Sequence, residues 1–283
     1  MSEESSSRRG LFRGLAAAAA RAAIPDPKPE PAPARAPLLS DSELERYSRQ
    51  LVLPEWTEMA QLALRDASVL VIGAGALGSP VALYLAGAGI GRLGIADDDA
   101  VELSNLHRQL LHFTPDIGVP KVESAATKLR FLNPEIVVEP YHVRVDAVSA
   151  PGLVEGQDLV IDCSDSFATR YAVNAACCEA GIDLVEGGVV GWSGLVMTIV
   201  PRRTACYRCA FPTEPEDTRS CAEAGVLGPA AGVIGSIQAL EALKFLTGAQ
   251  APLVDAFVSV DLATYETTTV HVRQRADCPD CGG

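Results

Sequence analysis

Residues 68–121, SVLVIGAGALGSPVALYLAGAGIGRLGIADDDAVELSNLHRQLLHFTPDIGVPK, constrain this chain more than any other stretch. They begin as an apolar run, 68–72, short enough for a strand buried on both faces. The run stops at Gly73, and Gly73, Ala74, Gly75, Ala76, Leu77 and Gly78 spell G-x-G-x-x-G before an apolar helix. Such a turn lets backbone approach a phosphate while the helix N-terminus directs its unpaired N–H groups at the anion. A second apolar run, 92–96, ends on Asp97, nineteen residues after Gly78. An acid at that place hydrogen-bonds a ribose hydroxyl. The pattern fits any Rossmann-type nucleotide site.

What narrows it is the end of the stretch. Ser104, Asn105, Leu106, His107, Arg108 and Gln109 bring a guanidinium and two amides, and Lys121 opens the next helix after Pro120. A redox dinucleotide needs few cations, because its pyrophosphate rests on the glycine turn. A site that breaks a triphosphate needs cations where charge accumulates as pyrophosphate leaves. Arg108 and Lys121 suit the second task.

The flanking segments extend the reading. Ser40 and Glu43 form a capping box ahead of a helix through residues 45–50, and a second helix is expected over 58–65. Beyond Lys121 the pattern predicts a helix to 130, a strand at 136–140, a helix near 147–154 and a strand at 158–163. That last strand ends on Asp162-Cys163-Ser164-Asp165-Ser166, on the same rim as Gly73 and Asp97, where open parallel sheets bind ligands. Asp165 also stands where it can cap the following helix. A helix to 180 and a strand at 182–185 complete the doubly wound half. Residues 187–200 are glycine-punctuated and β-rich without helices, which predicts antiparallel strands. A polar connection, 212–223, a helix over 228–246 and strands at 254–260 and 267–272 follow. The expected fold is α/β: a doubly wound, Rossmann-like, mostly parallel sheet continued by antiparallel strands, with a structural zinc site.

The zinc expectation rests on two C-x-x-C pairs, Cys206/Cys209 and Cys278/Cys281, among eight cysteines. In a reducing compartment that arrangement reads as a tetrahedral metal site rather than disulfides. Cys163, Cys177 and Cys178 read as buried small hydrophobes.

The first forty residues form a flexible Ala/Pro-rich tail, ending in an extended polyproline segment. Its Ser7-Arg8-Arg9 start superficially resembles a twin-arginine export signal, but Arg21 interrupts the apolar segment, and we read it as a cationic appendage. That tail carries six basic and four acidic residues, leaving seventeen against thirty-two in residues 41–283. A body so acidic argues against nucleic acid or an anionic membrane as partner. No long uncharged apolar run predicts a membrane span, and a dependence on ATP places the protein in the cytoplasm.

In combination, R-Y-x-R-Q at 46–50, GAGALG at 73–78, DDD at 97–99, SNLHRQ at 104–109, PKVES at 120–124, DCSDS at 162–166, CYRC at 206–209, CAEAGVLGP at 221–229 and CPDC at 278–281 resemble the bacterial E1-like adenylyltransferases, the MoeB/ThiF/HesA group. The resemblance covers residues 44–281 and makes 41–283 one ATP-binding adenylation domain with a zinc-binding C-terminal half. It implies ATP-dependent adenylylation of the C-terminal glycine of a ubiquitin-like sulfur-carrier protein ending in Gly-Gly, as in molybdenum-cofactor or thiamine biosynthesis. Gly73, Gly75, Ala76 and Gly78 then form the phosphate turn, Asp97 binds ribose, and Ser104, Asn105, Arg108, Gln109 and Lys121 hold phosphates. Asp165, beside Ser166 where the family has asparagine, serves Mg²⁺. Arg49 reaches across a homodimer to the partner's ATP, while Cys221 matches a position that forms a covalent intermediate in some relatives. His107 and His112 are expected as scaffold of the phosphate loop. No rhodanese-like extension follows, so a separate sulfur donor is expected. The glycine-rich strands after Gly187 and the helix from Gly228 are expected to form the carrier's docking face. Two other classes stay open: protein conjugation through a Cys221 thioester, and a nicotinamide- or flavin-dependent oxidoreductase. A non-catalytic scaffold is disfavoured by the intact Arg49, Arg108, Lys121 and Asp165.

Overall fold

The computed structural model describes residues 38–213 and 225–282. All but three residues of the expected tail lie outside that range, as does Cys221. Eight strands form a single sheet in the order β3-β2-β1-β4-β5-β6-β7-β8. The strands are β1 (Ser68–Ile72), β2 (Arg92–Ala96), β3 (Val137–Tyr141), β4 (Leu159–Asp162), β5 (Asp183–Val190), β6 (Ser193–Ile199), β7 (Ala256–Asp261) and β8 (Glu266–His271). Strands β3-β2-β1-β4-β5 are parallel and β5 to β8 antiparallel. The expected order of a doubly wound half followed by meandering strands is therefore present.

Sequence alternation decides what each sheet face meets. On β1, Val69 and Val71 face one core with Leu64, Val81, Leu85 and Leu129. Leu70 and Ile72 face the other with Leu153, Val160 and Val173. A parallel strand must be covered on both faces, hence the continuous apolar run. Helices α3 (Glu58–Asp66), α4 (Gly78–Ala88), α5 (Lys121–Leu132) and α9 (Gly228–Thr247) cover the first face. Helices α6 (Ala150–Val154) and α7 (Phe167–Ala180), with the short α8 (Tyr207–Ala210), cover the second.

Several boundaries differ from the sequence reading. The capping box at Ser40 forms, but the helix expected through residue 50 splits into α1 (Asp41–Arg46) and α2 (Ser48–Leu51). Tyr47 leaves helical geometry there (φ −96°, ψ 8°) because its ring is buried and its hydroxyl accepts from Asn133 Nδ2 at 3.0 Å. Helix α6 starts at Ala150 because Asp146 Oδ1 holds the Val148 and Ser149 N–H groups in a turn. Strand β5 runs on through Gly187 and Gly188, which looked like an end. A Cβ on either would strike Gln238 or Arg170, at 2.2 and 2.9 Å, so these glycines serve packing rather than a turn.

A close approach away from the rim gives a direct test. A Cβ built on Gly91 would stand 1.8 Å from the Arg65 carbonyl oxygen, a backbone atom that cannot step aside. Gly91→Ala is expected to lower unfolding stability by about 1–3 kcal/mol, the usual cost of overpacking. Urea denaturation reads this; an unchanged midpoint contradicts the packing described.

Candidate active site

The carboxyl ends of β1, β2 and β4 converge on one cleft of about 330 Å³, within the range of about 300–1,000 Å³ usual for small-ligand sites. Its floor is the glycine turn. Gly73 has φ +92°, and a Cβ there would meet the Cys163 carbonyl at 2.9 Å. Gly78 does not line the cleft itself; it is the first residue of α4. A Cβ on it would lie 1.8 Å from Gly73 O, so it is needed for the turn to close. Only Gly75 faces open space, with Gln109 Nε2 the nearest atom at 3.7 Å.

One residue of this turn is held through both of its backbone groups. Ala74 N donates to Asp97 Oδ2 at 2.8 Å, and Ala74 O meets His112 Nε2 at 2.8 Å. A carbonyl can only accept, so Nε2 carries the proton and Nδ1 accepts from Ser124 Oγ at 2.9 Å. Ser124 Oγ in turn accepts from Lys128 Nζ at 2.9 Å. Burial pushes the His112 pKa below its ordinary value, which keeps that tautomer neutral. His112 is the expected scaffold; His107 is exposed.

Around this floor the cleft gathers Gly73, Gly75, Ala76, Asp97, Arg108, Gln109, Lys121, Asp165 and Ser166, nine of the expected nucleotide residues. Burial pushes the Asp97 carboxyl up, opposed by Lys121, whose Nζ lies 4.0 Å from Asp97 and 2.7 Å from Asp99. Gln109 is buried and its Oε1 has no partner. Arg108 reaches the cleft while donating to the Ser104 carbonyl at 2.8 Å.

Other expectations need correcting. Ser104 and Asn105 do not line the cleft. Ser104 holds Arg108, and buried Asn105 accepts from Glu102 N at 3.1 Å, so both shape the loop instead. Asp165 does not cap α7: Ser166 Oγ accepts from Thr169 N. That leaves Asp165 exposed on the rim without hydrogen bond or ion pair among the described residues. Arg49 is likewise exposed and unpaired, and it does not line its own chain's cleft. Its neighbour Gln50 donates to Ala88 O, at the far end of α4 from the glycine turn. Eleven helical residues separate those ends by about 16 Å. Arg144, with Val143, Val145 and Thr169, lines the cleft unforeseen. These residues follow β3 or sit inside α7, where no motif marks them.

On the sheet face covered by α6, α7 and α8, the four paired cysteines come together. Cys206 lies 3.8 Å from Cys209 and 3.6 Å from Cys278, and Cys209 lies 3.4 Å from Cys281, measured between sulfurs. Four thiolates at tetrahedral zinc–sulfur distances stand about 3.8 Å apart. The donor set thus fits zinc, and no disulfide forms among the described cysteines. Cys163, Cys177 and Cys178 are buried as expected. Beside the cleft, an apolar groove of about 750 Å³ runs between α4 and α9, lined by Tyr84, Leu110, Leu132, Pro229, Val233 and Leu240. Arg108 borders both spaces.

Comparison with known proteins agrees with this geometry. A family model described as the ThiF family matches residues 47–281. The SAMP-activating enzyme E1 of Haloferax volcanii is 44% identical over 246 residues, covering 86% of this chain and 91% of that protein. The sulfur carrier protein ThiS adenylyltransferase of Escherichia coli is 42% identical, covering 87% and 98%. The adenylyltransferase and sulfurtransferase MOCS3 of Xenopus laevis is 44% identical, but the chain spans only 54% of its length. Among solved structures, E. coli MccB with MccA-N7isoASN superposes with TM-score 0.78 at 24% identity, over 86% of this chain and 76% of that one, a likeness of fold.

The His112 bond makes the turn sensitive to acid. Its folded pKa lies below the ordinary value of 6.5, so the unfolded chain binds the extra proton first and stability falls as pH drops through about 6.5. His112→Gln keeps a donor for Ala74 O but cannot titrate, and is expected to lack this component. Urea midpoints measured from neutral to mildly acid pH check it; parallel curves for both proteins contradict it.

Proposed function

The chain belongs to the ThiF family, and we propose that it uses ATP to adenylylate the C-terminal glycine of a small ubiquitin-like sulfur carrier. The products are the carrier's acyl-adenylate and pyrophosphate, and the adenylate is then open to thiocarboxylate formation by a separate sulfur donor. The observation that carries this reading is the convergence of Arg108, Gln109 and Lys121 on the same cleft as the open Gly75 turn and Asp97. A relative named as the sulfur carrier protein ThiS adenylyltransferase is matched over 98% of its length at 42% identity.

The chemistry follows from charge. A carrier carboxylate attacks the α-phosphorus, so nucleophile and electrophile are both anionic. Asp97 fixes the ribose, and the Gly75 turn with the α4 N-terminus cradles phosphate. Arg108 and Lys121 receive the charge that gathers on departing pyrophosphate. Lys121 waits on Asp99 until phosphate offers a stronger partner. Asp165, exposed on the rim, would hold Mg²⁺, which would supply further neutralisation of the phosphates. Carboxylate attack requires no general base, in keeping with His112 being committed to the turn.

Arg49 completes the site from a second copy of the chain. It does not line its own chain's cleft, and the apolar groove beside Arg108 gives a partner copy a surface to cover. Cys206, Cys209, Cys278 and Cys281 would hold zinc, which ties α8 to the C-terminal segment. Among the described residues, no helix is long and apolar enough to cross a membrane, and the ATP requirement places the reaction in the cytoplasm.

Incubation with ATP, Mg²⁺ and Gly-Gly carriers, followed by intact-mass detection, is expected to reveal a carrier adenylate and carrier-dependent ATP–pyrophosphate exchange. Binding of NAD in place of ATP contradicts the reading. By analogy with arginines supplied in trans, Arg49→Ala is expected to slow exchange by about 10³–10⁵ with its melting temperature unchanged. Near-normal exchange removes Arg49 from the site. Purified protein is expected to retain zinc through gel filtration and the Cys206→Ser/Cys281→Ser variant to lose it; equal metal content in both contradicts the assignment.

A further inference from the structure

Two carboxyl groups that the proposed reaction does not use lie directly behind the rim that carries Asp165. Asp162 ends β4, and Glu186 is its paired neighbour on β5. Both are completely buried. A single cation meets them: Arg170 of α7 donates from Nη1 to Glu186 Oε1 at 2.7 Å. Arg170 Nη2 also donates to the Ser164 carbonyl at 2.8 Å, and Ser164 N donates to Asp162 Oδ1 at 2.8 Å. Gly188 leaves room for the guanidinium, since a Cβ there would fall 2.9 Å from Nη1.

The accounting leaves a defect. Asp162 Oδ2 and Glu186 Oε2 are each buried without a hydrogen-bond partner. If both groups were ionised, two buried negative charges would face one positive charge, an arrangement costly in a low-dielectric interior. Paired residues on adjacent strands present their side chains to the same face, about 4.8 Å apart. One proton placed between the orphan oxygens supplies the missing donor and brings the cluster with Arg170 to neutrality. The remaining titratable neighbours do not alter this balance. Cys163 and Cys177 are pushed up by burial, as is Tyr207, so all three stay uncharged. Gln238, from α9, donates to the Asp162 backbone carbonyl.

We infer that Asp162 and Glu186 hold a single proton between them, and that this pair, with Arg170, positions the Ser164–Asp165 segment of the cleft. Ser164 brings both of its backbone groups to the cluster: its N–H to Asp162 and its carbonyl to Arg170. Asp165 therefore follows a residue whose backbone is pinned at two points. Asp162, Glu186 and Arg170 are positioning residues, acting through that segment rather than on substrate. The shared proton stands without the proposed function; what Asp165 is positioned for rests on it.

The test is infrared difference spectroscopy on the purified, nucleotide-free protein at neutral pH. Wild type minus Glu186→Gln, and wild type minus Asp162→Asn, are each expected to reveal the carbonyl stretch of one protonated carboxyl. Either amide supplies the donor itself and leaves the other group ionised beside Arg170. Both single variants are expected to melt near wild type. The double variant, which leaves Arg170 without a counter-ion, is expected to melt far lower. Absence of the band from both difference spectra overturns the shared proton. Glu186→Leu removes the donor and the arginine's partner together. It is expected to raise the Mg²⁺ concentration for half-maximal exchange by about 10–100-fold, the usual cost of losing a metal site's supporting bonds, while Glu186→Gln restores it. An unchanged Mg²⁺ requirement overturns the positioning role. If Glu186→Leu does not fold, the two amide variants still decide, through their spectra and their Mg²⁺ requirement. If wild type catalyses no exchange with any carrier yet keeps the band, the proposed function fails and the shared proton stands.

Discussion

The Ala74 peptide is the fixed point of this molecule. Its N–H is taken by Asp97 at the end of β2, and its carbonyl by His112 from the loop before α5. Neither bond would form unless Gly73 adopted positive φ and Gly78 brought α4 against the turn. Two long-range bonds on the backbone of one residue thus join β1, β2, α4 and α5 at the spot where phosphate is expected. The same contact explains why a histidine in that loop must stay neutral, since a proton on Nδ1 would set it against the Ser124–Lys128 chain.

Much of this was legible in the residues. The apolar runs of β1 and β4, the glycine turn, Asp97 and the two C-x-x-C pairs carry their meaning locally, through period, spacing and element type. What was not legible depends on contacts distant in sequence. Gly187 and Gly188 read as a break because nothing nearby says that Gln238 and Arg170 will lie across them. Gly78, Ser104 and Asn105 belong to binding motifs, yet the structure uses them to build the turn and loop. Arg144 enters the cleft from an irregular connection that has neither period nor motif. Glu186 falls between the strand expected at 182–185 and the β-rich segment expected from 187; only the pairing of β5 with β4 sets it beside Asp162.

Placement of charge unites these features. An acidic body must still present cations to a triphosphate, and it does so without leaving buried cations bare. Lys121 is balanced by Asp97 and Asp99, and Arg170 by the Asp162–Glu186 pair. Arg108 is tethered to a neutral carbonyl. Because these partners are weaker than a phosphate, Lys121 and Arg108 can exchange them on binding while the backbone stays in place. Arg170 cannot, since its partners are wholly enclosed, which makes it a support rather than a ligand.

The unpartnered groups then sort by cost. Asp165 and Arg49 are exposed, so water satisfies them and their lack of partners carries little penalty. Gln109 differs: its Oε1 is buried and unpaired, a condition that costs about 1–3 kcal/mol. Its amide lines the cleft beside the one glycine that faces open space. Its Nε2 is the atom nearest the open side of Gly75, so the amide already turns an N–H toward the expected phosphate. The buried oxygen is an acceptor and cannot pair with a phosphate, so it is the N–H beside Gly75 that marks the expected phosphate path. The exposed charges mark instead what the proposed reaction would draw from outside: a cation at Asp165, and a second copy of the chain for Arg49.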